Sequence, residues 1–221
     1  MRHTLVVATT NKGKLEELRA MLESPDLCVL SLADVTKRIP EIVEDGKTFT
    51  DNAVKKAREV AKLTTCLTLA DDSGLEVDIL DGAPGVRSAR YAHERATDAE
   101  NNAALIAALD GVAPPEMRGE RPKARFRCVL ALIDPFSEEP PFVVEGVCEG
   151  SITTAPRGSF GFGYDPMFVV DGLAGREPTM AELSDAEKNQ ISHRAKAWQK
   201  LKLVLEKVIA ARNERITKIL G

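Results

Sequence analysis

The spacing of apolar residues changes along the chain, and each change marks an element. Residues 5–8 form a short apolar run, read as a buried strand. Leu15, Leu18 and Leu22 then recur at helical spacing. A second short strand is predicted over 28–32. Thr48-Phe49-Thr50-Asp51 has the form of a capping box and opens a helix predicted to residue 63. Ala53, Ala57 and Val60 are its inward stripe, and Lys56 falls on that same stripe. Residues 66–70 are apolar and β-branched, and residues 75–79 alternate, which predicts a buried strand and then a half-exposed one. Asp71-Asp72-Ser73-Gly74 stands between them. Thr97 and Glu100 make another box, ahead of a helix to about residue 109. Residues 124–132 alternate, with Arg125 and Arg127 on a polar face, and pair with residues 142–152 as a hairpin. Boxes at Thr179 and Ser184 open a helical region predicted to run to about the C-terminus. Ile191, Ala195, Trp198, Leu205 and Val208 form its buried side.

Composition narrows the function classes. The chain has 221 residues, 43% hydrophobic and 29% charged, with a formal net charge of -4. That is ordinary for a globular protein with one large domain or one domain of two lobes. A non-specific nucleic-acid or anionic-membrane binder would be basic. Cys28, Cys66, Cys128 and Cys148 form no close C-x-x-C pair, so neither a zinc site nor a redox motif is indicated. No run is long and apolar enough to cross a membrane, and the opening run is too short for a signal segment, which predicts a cytoplasmic chain.

Five sites carry candidate chemistry. Adjacent carboxylates at Asp71 and Asp72 are costly at the mouth of a buried strand unless positive charge meets them. A divalent cation such as Mg2+ is the usual answer, and an acidic turn is the alternative. Thr9-Thr10-Asn11-Lys12-Gly13-Lys14 follows a strand and precedes a helix, where backbone N–H groups, the helix dipole and lysine charge favour phosphate. It lacks the Walker A pattern. Lys56 either snorkels out of its apolar stripe or meets buried negative charge. Gly158-Ser159-Phe160-Gly161-Phe162-Gly163-Tyr164-Asp165 interleaves glycines, which admit close backbone approach, with aromatic faces able to stack a base. Lys188, His193 and Arg194 supply hydrogen-bond donors near a helix.

In this order the motifs resemble one family: the noncanonical purine nucleoside triphosphate pyrophosphatases, also called the Ham1 or inosine triphosphatase family. The matching segments are Ala8 to Lys14, Asp51-Asn52-Ala53 with Lys56-Ala57, Ala70 to Leu75, Gly82 to Gly85, Phe162 to Pro166, and Ser192-His193-Arg194. The resemblance implies an α/β fold of two lobes on a long mixed β-sheet flanked by helices, with an active-site cleft between the lobes. It implies a homodimer in which the stretch past about residue 206 is a helical extension. The implied activity is Mg2+-dependent hydrolysis of ITP, dITP and XTP to the monophosphate and pyrophosphate. Thr9, Thr10, Asn11, Lys12, Gly13 and Lys14 would hold the triphosphate, and Lys56 would reach the phosphates. Asp72 would bind metal or activate water, with Asp71 its neighbour in the catalytic pair, and Ser73 would contact the substrate. Glu44 would be the second metal ligand, with Glu41 the nearby alternative. Phe162, Gly163, Tyr164, Asp165, Lys188, His193 and Arg194 would bind the base. Two departures are Thr10, where many bacterial relatives carry Gly, and a C-terminal stretch longer than typical. The competing readings are a Maf-type pyrophosphatase of modified nucleotides and a non-catalytic nucleotide sensor.

Overall fold

The computed structural model describes residues 2–22, 24–36, 42–112 and 120–220. Among them, six strands form a single sheet in the order β2-β1-β3-β4-β5-β6. β1 (His3–Val7) pairs in parallel with β2 (Leu27–Ser31) and with β3 (Leu67–Val77). β5 (Phe142–Ile152) pairs antiparallel with β6 (Phe168–Val170), so the sheet is mixed. β4 covers Lys123–Ile133, and β3, β4 and β5 are each 11 residues long. The helices are α1 (Lys12–Met21), α2 (Leu32–Val35), α3 (Phe49–Thr64), α4 (Asp98–Val112), α5 (Asp185–Ile191) and α6 (His193–Leu220). The expected α/β class, a long mixed sheet with helices, is what the chain adopts.

The chain divides into two compact units. The first comprises the described residues of Met1–Asp72, Val129–Glu145 and Ala197–Gly221. Its core includes Leu5, Val6 and Val7 of β1, Leu18 of α1, Ala53, Ala57 and Val60 of α3, and Leu67 and Leu69 of β3, all fully buried. α3 opens with the capping box expected: Thr48 Oγ1 accepts the Asp51 N–H, and Asp51 accepts the Thr48 N–H. Late in the same unit, the buried carboxylate of Asp134 accepts from Arg212 and Arg215 of α6. Arg215 also donates to the Phe136 carbonyl at 2.7 Å, and His3 Nε2 lies 2.9 Å from Asn213 Oδ1.

The second unit comprises Ser73–Cys128 and Gly146–Lys196. Leu75, Leu105, Phe126, Ile152, Tyr164, Met167 and Phe168 belong to one buried apolar cluster there. Gly150 of β5 sits opposite Val170 of β6, and a Cβ at Gly150 would meet the Phe168 ring and the Val169 carbonyl, so the register depends on that missing side chain. A 3-10 segment, Gly85–Arg90, is tied down by Ser88, whose hydroxyl accepts the Leu75 N–H at 2.9 Å.

Three elements differ from the sequence pattern. Residues 66–79 are not two strands: β3 runs unbroken through Asp71-Asp72-Ser73-Gly74. The acids do not end the strand because each meets a lysine, as described below. The C-terminal helical region is not continuous either. Ser192 is extended (φ -63, ψ 157), and its hydroxyl accepts the Ala195 N–H at 3.1 Å, so it closes α5 and caps α6. The third is β6, a three-residue strand with no counterpart in the apolar pattern. Glu41 and residues 113–119, the latter within a stretch read as a loop, lie outside the described residues.

Candidate active site

In the first unit the candidate chemistry gathers on β3. Successive side chains leave a strand in opposite directions, so Asp71 and Asp72 face different partners. Lys14 Nζ, from the first turn of α1, lies 2.6 Å from Asp71 Oδ1. Lys56 Nζ, from α3, donates to Asp72 Oδ1 at 2.8 Å and to Glu44 Oε1 at 2.8 Å. Lys56 does not snorkel: it is 8% exposed and meets buried negative charge. Burial lowers its ammonium, but Asp72 and Glu44 outweigh that and hold it above the ordinary lysine value. Burial also pushes the Asp72 carboxyl above its ordinary value, against the pull of Lys56 and Lys14. Asp72 Oδ2 is buried with no hydrogen-bond partner.

The first loop is organised by its own side chains. Thr9 Oγ1 accepts the Asn11 N–H at 3.2 Å, and Asn11 Oδ1 caps α1 by accepting the Lys14 N–H at 3.0 Å. The first turn of α1 has no acidic residue but carries Lys12 and Lys14. Cations there oppose the helix dipole, an arrangement that a bound anion would relieve. Thr10 and Lys12 are exposed.

Asn52, part of a matched motif but given no role from sequence, is fully buried one turn before Lys56. Its Oδ1 accepts the Gly46 N–H at 2.8 Å and so fixes the loop that carries Glu44. A Cβ at Gly46 would lie 2.6 Å from that same oxygen, which explains glycine after Glu44-Asp45.

In the second unit the aromatic-glycine loop and the start of α6 come together. The Arg194 guanidinium, 1% exposed, lies over the Phe162 ring at 5.9 Å and donates to Ser73 Oγ at 3.0 Å. Lys188 Nζ donates to Asp165 Oδ2 at 2.9 Å, and the pair is buried. Gly161 has φ +85, and a Cβ there would run into both members of that pair. His193 stacks on Phe126 with ring centroids 4.9 Å apart. Tyr164 belongs to the core: its hydroxyl donates to the Ser88 carbonyl at 2.8 Å, and burial keeps that phenol protonated well above the ordinary range. Gly163 is held by two side chains of α4, Asp98 and Asn102, which the sequence alone did not single out. The Thr97-Asp98-Ala99-Glu100 box signals a helix start there but not the contact to Gly163.

The oxygen set fits a hard divalent cation. Asp72 and Glu44 already share one cationic partner, and Asp72 offers a buried oxygen that nothing satisfies. Among the described residues no group of three acidic, histidine or cysteine side chains could hold a metal. Two carboxylates suit Mg2+, which keeps several waters and takes substrate phosphates as ligands.

Comparison with known proteins covers most of the chain. The Ham1 family model matches residues 5–204. The chain is 49% identical over 202 residues to the dITP/XTP pyrophosphatase of Bacillus licheniformis, covering 91% of this chain and 97% of that one. It is 50% identical over 198 residues to the dITP/XTP pyrophosphatase of Geobacter sulfurreducens, covering 90% and 94%. Among solved structures, a HAM1 protein from Coxiella burnetii superposes with a TM-score of 0.80 at 40% identity, over 94% of this chain and all of that one.

Proposed function

This chain belongs to the Ham1 family, and on that basis we propose that it hydrolyses ITP, dITP and XTP to the monophosphate and pyrophosphate. The carrying observation is Asp72: a buried carboxylate, raised by burial, with one oxygen on Lys56 and the other unpaired. A carboxyl tuned upward is a better base near neutral pH than an ordinary aspartate. Its unpaired Oδ2 would either take the proton of the attacking water or serve as a ligand to Mg2+. Asp71 is committed to Lys14 and orients that lysine rather than sharing the proton-transfer role.

Hydrolysis at the α-phosphorus builds negative charge on three phosphates, and fixed cations lower that barrier. Lys12, Lys14 and Lys56 supply three, and the open N-terminus of α1 adds its backbone donors. Asp72 and Glu44 would hold Mg2+, whose charge, when it is bound, neutralises phosphate oxygens and helps orient water. Removing such nucleotides from the pool keeps them out of DNA and RNA.

Base choice follows from donors. A 6-oxo purine presents an acceptor where adenine presents a donor. Lys188, His193 and Arg194 carry N–H donors, which a 6-oxo group can meet and the amino group of adenine cannot. Phe162, under Arg194, offers the stacking face, and Tyr164 anchors the loop that carries it. We further propose a cytoplasmic homodimer.

The test is pyrophosphate release from ITP, XTP, dITP, GTP, ATP and dTTP in parallel, with Mg2+ and with chelator. Fast Mg2+-dependent release from ITP, dITP and XTP, with ATP and GTP slow, supports the reading. Preference for a pyrimidine or a standard purine nucleotide would move the substrate, and binding without turnover would make the chain a sensor.

A further inference from the structure

Gly163 is gripped through both sides of its backbone. Its N–H donates to Asp98 Oδ2 at 2.7 Å, and its carbonyl accepts from Asn102 Nδ2 at 3.1 Å. Asp98 and Asn102 are one helical turn apart on α4 and so share a face. The helix itself is fixed by the residue between them: Asn101 Oδ1 accepts the Ala92 N–H at 3.0 Å, and its Nδ2 donates to the Ala89 carbonyl at 3.2 Å.

The orientation of Asn102 is not free. Its Nδ2 faces a carbonyl, so a flipped amide would set oxygen against oxygen. The consequence is a buried Oδ1 with no hydrogen-bond partner. A buried acceptor left without a hydrogen bond is destabilising, a penalty that an apolar residue there would avoid. What an apolar residue could not do is hold Gly163.

The neighbours of Gly163 are tethered separately. Tyr164 is anchored on Ser88 and Asp165 on Lys188. Phe162 is held through Asp165: its N–H makes a long bond to Asp165 Oδ2 at 3.4 Å, its carbonyl accepts the Asp165 N–H at 3.2 Å, and its half-buried ring lies under Arg194. Both of these bonds close a turn that passes through Gly163, so the ring's direction depends on how that peptide is held as well as on Asp165. We propose that Asp98 and Asn102 are positioning residues, which act through Gly163 to aim the Phe162 ring and so set how sharply the chain distinguishes one purine base from another. This rests on the reading that the Phe162–Asp165 stretch handles the base.

The experiment uses Asp98→Ala, Asn102→Ala and Asp98→Asn in the full chain. The Asp98 side chain is on the surface, so its variants keep the fold even where Asn102→Ala does not. In both Ala variants the ITP-over-GTP ratio of kcat/KM is expected to fall about tenfold, through KM for ITP, with kcat within about threefold. Asp98→Asn, which keeps an acceptor oxygen, restores the ratio. Hydrogen exchange at the Gly163 amide is expected to quicken about tenfold in Asp98→Ala, whatever the substrate proves to be. Equal losses on every nucleotide, or unchanged Gly163 exchange, overturn the inference. If the unaltered chain releases pyrophosphate from no nucleotide, the functional reading falls by itself, and the exchange rate still decides whether the grip holds the loop.

Discussion

Asp72 and Lys56 meet at 2.8 Å through a single carboxylate oxygen, and the other oxygen of Asp72 is buried and unpaired. A carboxylate held by one side only is constrained in direction yet still has a lone pair to offer. Structural ion pairs usually satisfy both oxygens, so this one is poised for a second partner.

Asp72→Asn preserves shape and removes the charge and the proton acceptor. Turnover is expected to drop by about a thousandfold or more, with the melting temperature nearly kept. Steady-state pyrophosphate release and a thermal melt on the same preparation check this. Lys56→Met does the reverse to stability. It strands Asp72 as a buried charge, and unfolding in urea should show a loss of about 3–5 kcal/mol.

Metal removal should stop the chemistry without unfolding the chain. Lys56 already pairs with both Asp72 and Glu44, so their placement does not depend on a metal. Chelator is expected to abolish pyrophosphate release and to move the melting temperature by no more than a degree or so. A large drop in melting temperature would show a structural metal instead.

Gly161→Ala puts a methyl group against Asp165 and Lys188 at a left-handed backbone position. A cost of about 1–3 kcal/mol is expected from strain and displaced charge. The displaced ammonium should also raise KM for ITP more than it lowers kcat. An unchanged KM would separate Lys188 from base binding.

Alkaline pH offers a test of the second unit's core. Burial pushes the Cys148 thiol up to about 11 from an ordinary 9.0. A raised folded-state value stabilises fully below the unfolded value and is lost as pH rises through the folded one. The Cys148 contribution, about 2–3 kcal/mol, should therefore disappear between roughly pH 9 and 11. Urea midpoints of the unaltered chain and of Cys148→Ala measure it: their difference should shrink across that window. In the native chain, Cys148 should also resist thiol reagents at pH 8.

Local signals in the sequence were legible and distant ones were not. The Thr48–Asp51 box opens α3 as its residues imply, because both partners lie within one turn. Lys56 could be placed on the buried stripe, but its partners were open, since Asp72 is 16 residues away and Glu44 is 12. The unbroken course of β3 was missed because charge neutralisation by Lys14 and Lys56 is invisible in the pattern of β3 itself. The break at Ser192 was missed for a related reason: Ser192-x-x-Ala195 has no acidic partner to complete a box, yet one hydroxyl bond to the Ala195 N–H suffices. The grip on Gly163 joins residues 65 and 61 positions apart, beyond any periodicity.

The family match stops at residue 204, but Asp134 looks past it to Arg212 and Arg215. Someone trimming the chain to its family boundary would delete both counter-charges and leave a carboxylate entombed beside β4. The family boundary is a border of shared ancestry and not a border of foldability. The last turns of α6 are therefore part of the fastening, and a shortened gene would be expected to give a weaker protein with the same catalytic residues.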